Sequence, residues 1–158
     1  MTEQDFYDTA QDYIFMGNAL ECAADAASMG EVPVGAVLVD AHGTIIASAG
    51  NDCISSVDPT GHAEILVLRA SAKKHGNYRL PCTTMYVTLE PCAMCATAMI
   101  QARVKRIVFG ARDPKAGGLQ SVYQIGTDGL LNHRFLVTGG VREDECGQIL
   151  KDFFKSRR

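Results

Sequence analysis

The chain has 158 residues, of which 47% are hydrophobic, which is enough for one ordinary domain with its own apolar core. Its 18 acidic and 15 basic residues give a formal net charge of -3, which argues against nonspecific nucleic-acid binding through a chain-wide cationic surface but allows a local basic patch. The N-terminal residues do not resemble a signal peptide, and no run of about 18 apolar residues occurs, so we expect a cytoplasmic protein without a membrane span. Six scattered cysteines predict reduced thiols rather than a disulfide framework.

The predicted elements alternate between helices and strands. Apolar residues at steps of three and four predict a first helix over residues 5–29, ending before Gly30. Two apolar runs around a glycine turn predict a hairpin of strands at 34–39 and 44–49. The later patterns predict a helix at 62–75, a strand at 83–89, a helix at 92–102, strands at 106–111 and 134–140, and a helix at 143–158.

The order of these elements predicts the architecture. The strand, helix and strand between residues 83 and 111 predict parallel pairing through a right-handed crossover. The glycine-rich stretch 112–132 predicts a long loop or a short helix, and long loops within compact domains are often functional. Because no repeat or linker divides the sequence, we expect residues 1–158 to form a single three-layer α/β domain.

Two short motifs carry the chemistry, "GHAE" at residues 61–64 and "EPCAMC" at residues 90–95. Cys92 and Cys95 open a predicted helix, where the helix dipole favours the thiolate that binds a metal or attacks a disulfide. His62 and Glu64 open another helix, and residues two apart can reach a common point only at such an end. If the two helix starts face each other at the carboxyl edge of the sheet, His62, Cys92 and Cys95 supply three zinc ligands.

Three protein ligands leave the fourth position of a tetrahedral zinc to water, as in catalytic sites. A nearby carboxylate can take the proton of that water, because zinc lowers the water's pKa to about 7. The pattern H-x-E…P-C-x-x-C is typical of zinc deaminases, in which the glutamate is an acid and base rather than a ligand. The motifs therefore predict hydrolytic deamination with Glu64 as the proton shuttle.

Two other classes of protein stay open for the cysteine pair. In a thiol oxidoreductase, Cys92 and Cys95 would form a disulfide without zinc. In a noncatalytic RNA-binding module, zinc would have a closed fourth site and Glu64 would have no task. The H-x-E motif disfavours the first class, and the lack of a second close Cys or His pair disfavours a zinc knuckle.

Both motifs resemble those of the cytidine deaminase-like superfamily, and their surroundings resemble its bacterial tRNA adenosine deaminases. The similar stretches are "EVPVGAVLV" (31–39), "DPTGHAEI" (58–65), "NYRL" (77–80), "YVTLEPCAMCATAMI" (86–100), "VFGARDPKAG" (108–117), "LNHR" (131–134) and "DFFKSRR" (152–158). The resemblance implies a cytidine deaminase-like α/β/α sandwich around a mixed sheet of about five strands. It also implies a homodimer with one Zn2+ per subunit, which converts the wobble adenosine of a tRNA anticodon stem-loop to inosine and releases ammonia.

The resemblance further implies the substrate contacts. Asn51 matches an asparagine that hydrogen-bonds the target base, and Asp113 matches an acidic residue close to its ribose, where a bond to the 2′-hydroxyl favours RNA. Phe154 is expected to stack on a splayed base while Lys155, Arg157 and Arg158 meet phosphates, and no DNA substrate is expected.

Several of these assignments have alternatives. Asn51 and Asp113 also fit turns, and the final helix also fits a packed aromatic pair with a solvated basic end. A free-base or nucleoside deaminase acting on guanine, cytosine or cytidine would share every zinc-site residue. The chain departs from the family at Gly61, where alanine is usual, and at Asp52, where a basic residue is usual.

Overall fold

The structure, a computed structural model, describes residues 9–157. In chain order, its elements are α1 (Thr9–Ser28), β1 (Gly35–Val39), β2 (Ile45–Gly50), α2 (Ala63–His75), β3 (Thr84–Leu89), α3 (Ala93–Gln101), β4 (Arg106–Ala111), β5 (Leu136–Gly139) and α4 (Glu143–Lys155). These elements confirm the helices and strands expected from the sequence. The predicted start of the first helix and Arg158 lie outside the described residues.

The five strands form one mixed sheet in the order β2-β1-β3-β4-β5. β1 pairs antiparallel with both β2 and β3, whereas β3, β4 and β5 pair in parallel. The parallel pairing of β3 and β4 across α3 confirms the arrangement that the strand, helix and strand pattern predicts.

Both faces of the sheet are covered, which explains why β1 and residues 107–111 of β4 are continuous apolar runs rather than alternating ones. On one face, Leu38 of β1 belongs to a core cluster with Val67 of α2 and Met99 of α3. On the other face, its neighbour Val37 belongs to a cluster with Met16 of α1 and Cys146 of α4. Successive residues of a strand point to opposite faces, so the chain forms a three-layer α/β/α sandwich, as expected.

The topology brings two helix starts to one edge of the sheet. Because β2 and β3 are both antiparallel to β1, they run in the same direction, and their ends at Gly50 and Leu89 lie at the same edge. The chain passes from β3 directly into α3, and from β2 through a loop into α2. Ligand sites in open α/β sheets lie at such an edge.

The stretch between β4 and β5, predicted to be either a long loop or a short helix, is a long loop. Residues 112–135 contain turns and one isolated bridge, between Cys92 and Gly117, but no helix.

Each helix within residues 9–157 is too short or too polar to cross a lipid bilayer.

Candidate metal centre and active site

The three residues expected to bind zinc meet at the shared edge of the sheet. His62 Nδ1 lies 3.5 Å from Cys92 Sγ and 3.5 Å from Cys95 Sγ. All three ligand atoms lie within 4.8 Å of one another. A tetrahedral zinc ion with ordinary Zn–N and Zn–S bonds would hold a histidine nitrogen and a thiolate sulfur about 3.6 Å apart. The spacing and the His-Cys-Cys donor set therefore fit a zinc ion.

The backbone presents two of these ligands from helix N-caps. His62 is the N-cap of α2 with φ -71 and ψ 146, and Cys92 is the N-cap of α3 with φ -72 and ψ 173. An N-cap side chain ordinarily binds an amide of the first helical turn, but neither residue does so here. Both side chains are thus available for a metal, and Cys95 follows within the first turn of α3.

The pKa values of the Cys92 and Cys95 thiols are shifted in opposite directions. A hydrogen bond from Cys95, together with one from His62, lowers the pKa of Cys92 to about 4 against the opposing effect of burial. The pKa of Cys95 is raised, because its thiol donates the hydrogen bond to Cys92 and is itself buried. The lowered pKa favours the thiolate of Cys92, the form that a metal requires.

Glu64 lies beside the three ligand residues without belonging to their cluster. It is the second residue of α2, and only 3% of it is exposed. Burial raises the pKa of Glu64, against the opposing effect of a hydrogen bond from the backbone. A carboxyl group with a raised pKa next to a metal site suits the transfer of protons near neutral pH.

A cavity of about 300 Å³ opens over these groups. Its lining includes His62, Glu64 and Cys92 together with two of the residues expected to contact the substrate, Asn51 and Asp113. Its apolar lining comes from Val32, Val34 and Leu89. A small apolar cavity with a few converging polar groups is the usual form of a small-ligand site.

Asn51 links the end of β2 to the start of α2. Its backbone N–H donates to Val34 O at 2.9 Å, and its side-chain Oδ1 accepts a hydrogen bond from the Ala63 N–H at 2.8 Å. Within residues 9–157, its side-chain NH2 group has no protein acceptor, so this donor is available at the cavity. Asn51 is therefore more than a turn former.

Asp113 forms a turn and lines the cavity as well. Its Oδ1 accepts the N–H groups of Lys115 at 3.0 Å and Ala116 at 3.1 Å. Its own N–H donates to Glu90 Oε1 at 3.2 Å. The turn expected as the alternative is present, and the same residue lines the cavity.

Two buried glutamates, to which the sequence patterns assign no role, hold the loops around the cavity. Glu31 accepts the N–H of Ile54 with Oε1 at 2.6 Å and Oε2 at 3.1 Å, while Glu90 accepts several amides of the loop after β4. Both residues are 2% exposed. Their signal in the sequence is an acidic residue one or two positions before a proline and next to an apolar run, because a buried charge there needs hydrogen-bond donors.

The aromatic and basic end of α4 lies outside the cavity. Phe154 is 50% exposed, whereas its neighbour Phe153 is less exposed and meets it edge to face at 5.5 Å. The Arg157 guanidinium lies 4.4 Å from the centre of the Phe153 ring and close to Gly30, one residue before the loop-holding Glu31. Phe154 is thus the exposed aromatic of the pair, and Arg158 lies outside the described residues.

The glycine at position 61 has a steric reason. A Cβ on Gly61 would lie 2.7 Å from the Asp52 carbonyl oxygen, and the Asp52 N–H donates to Gly61 O at 2.9 Å. The Asp52 carboxylate accepts the Ser56 hydroxyl. Gly61 and Asp52, the two residues that differ from the family pattern, thus contact each other through their backbones beside Asn51.

Comparisons with known proteins agree with this site. Residues 10–158 match the family model of the MafB19-like deaminases. The chain is 50% identical to a tRNA-specific adenosine deaminase of Haemophilus influenzae over 93% of this chain and 85% of that one. It is 44% identical to the tRNA-specific adenosine deaminase of Bacillus subtilis over 94% of this chain and 91% of that one. Its fold matches a solved structure from a study of A-to-I editing by tRNA:A34 deaminases at the wobble position of transfer RNA. The TM-score is 0.83, and the identity is 43% over 87% of this chain and 99% of that one. The chain belongs to the family of tRNA-specific adenosine deaminases.

Proposed function

We propose that this protein is a zinc-dependent hydrolase that deaminates adenosine to inosine at the wobble position of a tRNA anticodon and releases ammonia. The observation that carries this proposal is the placement of His62 Nδ1 at 3.5 Å from both cysteine sulfurs, with the buried Glu64 in the same cavity. The 50% identity to the Haemophilus influenzae enzyme supports the choice of substrate. We further propose that residues 1–158 act as one deaminase domain in a cytoplasmic homodimer.

His62, Cys92 and Cys95 would hold the zinc ion, and their three donors match a site that keeps one position open. When bound, zinc supplies a Lewis acid that makes water acidic enough to lose a proton near neutral pH. A redox role for Cys92 and Cys95 would require both sulfurs for a disulfide, and the contact of both with His62 supports the metal role instead.

Glu64 moves the protons of the reaction. Its carboxylate takes one proton from the water that attacks C6 of adenine and delivers it to N1 of the ring. It then takes the second proton from the hydroxyl group on C6 and delivers it to the exocyclic amino group, which leaves as ammonia while the C6 carbonyl of inosine forms. Water and adenosine thus give inosine and ammonia, and the raised pKa of Glu64 allows it both to accept and to donate a proton.

Asn51 and Asp113 would hold the target nucleotide. The free NH2 group of Asn51 is a donor for a ring nitrogen of the base, and Asp113 on the cavity rim is an acceptor for the 2′-hydroxyl of the ribose. The 2′-hydroxyl is absent from DNA, which supports a preference for RNA. The exposed Phe154, with Arg157 and Arg158 beyond it, would contact bases and phosphates of the anticodon loop outside the cavity.

The substrate must present its base unpaired to reach so small a cavity. An anticodon loop offers a base that is already single-stranded, so extruding it costs less than extruding one from a duplex.

The test is ammonia and inosine formation by the zinc-loaded protein with an anticodon stem-loop that carries wobble adenosine. Free guanine, cytosine and cytidine serve as competing substrates, and the same stem-loop with wobble guanosine serves as the matched control. We expect activity on the adenosine stem-loop alone. Activity confined to the free bases or nucleosides would overturn the tRNA substrate and keep the zinc chemistry.

A further inference from the structure

The Glu90 carboxylate is the centre of a hydrogen-bond cluster that holds residues 113–121, called the wall segment below. Oε2 accepts three backbone N–H bonds, from Leu119 at 3.2 Å, Gln120 at 2.9 Å and Ser121 at 3.0 Å. Oε1 accepts the Asp113 N–H at 3.2 Å and the Ser121 hydroxyl. One carboxylate thus fastens both ends of the wall segment.

The cluster contains no compensating cation. Glu90 is 2% exposed, and within residues 9–157 no lysine, arginine or histidine forms an ion pair with it. A buried carboxylate is costly unless hydrogen-bond donors surround it, and here its oxygens accept enough donors to use their lone pairs. The negative charge is therefore balanced by donors of the wall segment, four backbone N–H groups and the Ser121 hydroxyl.

The wall segment is also joined directly to the strand end that carries Cys92. The Gly118 N–H donates to Pro91 O at 2.7 Å, and Gly117 forms a bridge with Cys92. A Cβ on Gly117 would lie 2.3 Å from Glu90 Oε2, so the approach of the segment to the carboxylate requires glycine.

The position of the wall segment matters for the cavity. Asp113 and Ala116 line the cavity together with Glu64 and with Glu90 itself, and Asp113 begins the segment that Glu90 fastens. We propose that Glu90 is a positioning residue, which acts through the wall segment to place Asp113 against the ribose of the target nucleotide. The part of this proposal that concerns the nucleotide rests on the proposed function.

The first test needs no substrate. In Glu90→Gln, an NH2 group replaces one of the two oxygens. It then faces N–H or O–H donors, so the hydrogen bonds to that oxygen are lost. We expect amide hydrogen exchange in the wall segment to become about tenfold faster, with exchange in α2 unchanged. Glu21→Gln is the matched control, because Glu21 is exposed on α1 and its substitution makes the same change of charge.

The second test measures coupling to Asp113 on the adenosine stem-loop. With zinc content unchanged, Glu90→Gln should lower kcat/KM by about 10- to 100-fold, as displacement of a substrate-positioning group by about 1 Å does. In an Asp113→Ala background, the same change should cost less than about threefold, because its effect passes through Asp113. If Glu90 supported only the general stability of the fold, the losses of kcat/KM from Glu90→Gln and Asp113→Ala would be additive.

Three results would overturn the proposal: unchanged exchange in the wall segment, full additivity with Asp113→Ala, or loss of zinc from Glu90→Gln, which would mean that Glu90 acts through Cys92.

If Glu90→Gln does not fold, Ser121→Ala removes a single hydroxyl donor and should give a smaller local increase in exchange and a smaller loss of kcat/KM. A wild-type protein that is inactive on the stem-loop would sink the proposed function, while the exchange measurement would still decide whether Glu90 fixes the wall segment.

Discussion

The side-chain oxygen of Asn51 accepts a hydrogen bond from the backbone N–H of Ala63 at 2.8 Å. Ala63 lies between His62 and Glu64, so this one bond ties the residue proposed to hold the base to the helix start that carries a zinc ligand and the proton shuttle. The bond uses only the amide oxygen of Asn51. The two ends of the side chain therefore have separable roles, one toward α2 and one toward the substrate.

Substitutions at Asn51 should separate these roles. Asn51→Asp keeps an oxygen for the Ala63 N–H and removes the NH2 donor, so we expect near-normal stability with a loss of deamination. Asn51→Ala removes both groups and should also lower the free energy of unfolding by about 1 kcal/mol, as other losses of helix N-terminal hydrogen bonds do. Urea unfolding and stem-loop kinetics measure the two effects. Equal stability losses in both variants would contradict the structural role of the oxygen.

Glu64 should be essential for turnover and dispensable for metal binding. Glu64→Gln keeps the shape of the buried side chain and abolishes proton transfer, which contributes about 100- to 10,000-fold to rates when a positioned side chain performs it. We expect a fall in kcat within that range with full zinc content by metal analysis. Cys92→Ala should lose both zinc and activity. Normal turnover by Glu64→Gln would exclude the proposed mechanism.

The sequence predicts the metal cluster well because its residues sit at strand and helix boundaries. His62 and Cys92 each follow a glycine or proline and precede an apolar helical pattern, so their places at the sheet edge follow from local signals and topology. The role of Glu90 does not follow, because its partners lie 23 to 31 residues further along in a loop without periodicity. The exposure of Phe154 rather than Phe153 depends on how α4 packs, and adjacent aromatic residues in a helix carry no signal for it.

Four of the six cysteines should differ in their reaction with a thiol reagent. Cys82 is exposed and should react in the native protein, whereas Cys146 is buried and burial raises its pKa to about 12, so it should react only after unfolding. With zinc bound, Cys92 and Cys95 should be protected, and chelation should make Cys92 reactive. Thiol titration with mass-spectrometric assignment checks this order. A disulfide between Cys92 and Cys95 in the active protein would instead support the oxidoreductase alternative.

The end of α4 should contribute to RNA binding and not to the chemistry in the cavity. Phe154 is half exposed and lies outside the cavity, so Phe154→Ala should leave stability and zinc content unchanged. The loss of one base–aromatic stacking contact, worth about 1–3 kcal/mol, should raise KM for the stem-loop by about tenfold with kcat nearly constant. Phe153→Ala is the contrasting variant, because the Phe153 ring is less exposed and lies beneath the Arg157 guanidinium, so its loss should lower stability.

Substitution of Arg157 should distinguish the contribution of a phosphate contact to stem-loop binding from that of base stacking. Arg157→Ala should weaken stem-loop binding at low salt and reduce the slope of log K against log salt by somewhat less than one, which is the signature of one lost phosphate contact on single-stranded nucleic acid. Phe154→Ala should weaken binding without changing that slope, because stacking releases no counterions. Since Arg157 also covers the Phe153 ring, the salt slope is a cleaner measure of its role than affinity at a single salt concentration. An unchanged slope for Arg157→Ala would mean that the guanidinium serves the packing of α4 and that the phosphates meet other residues.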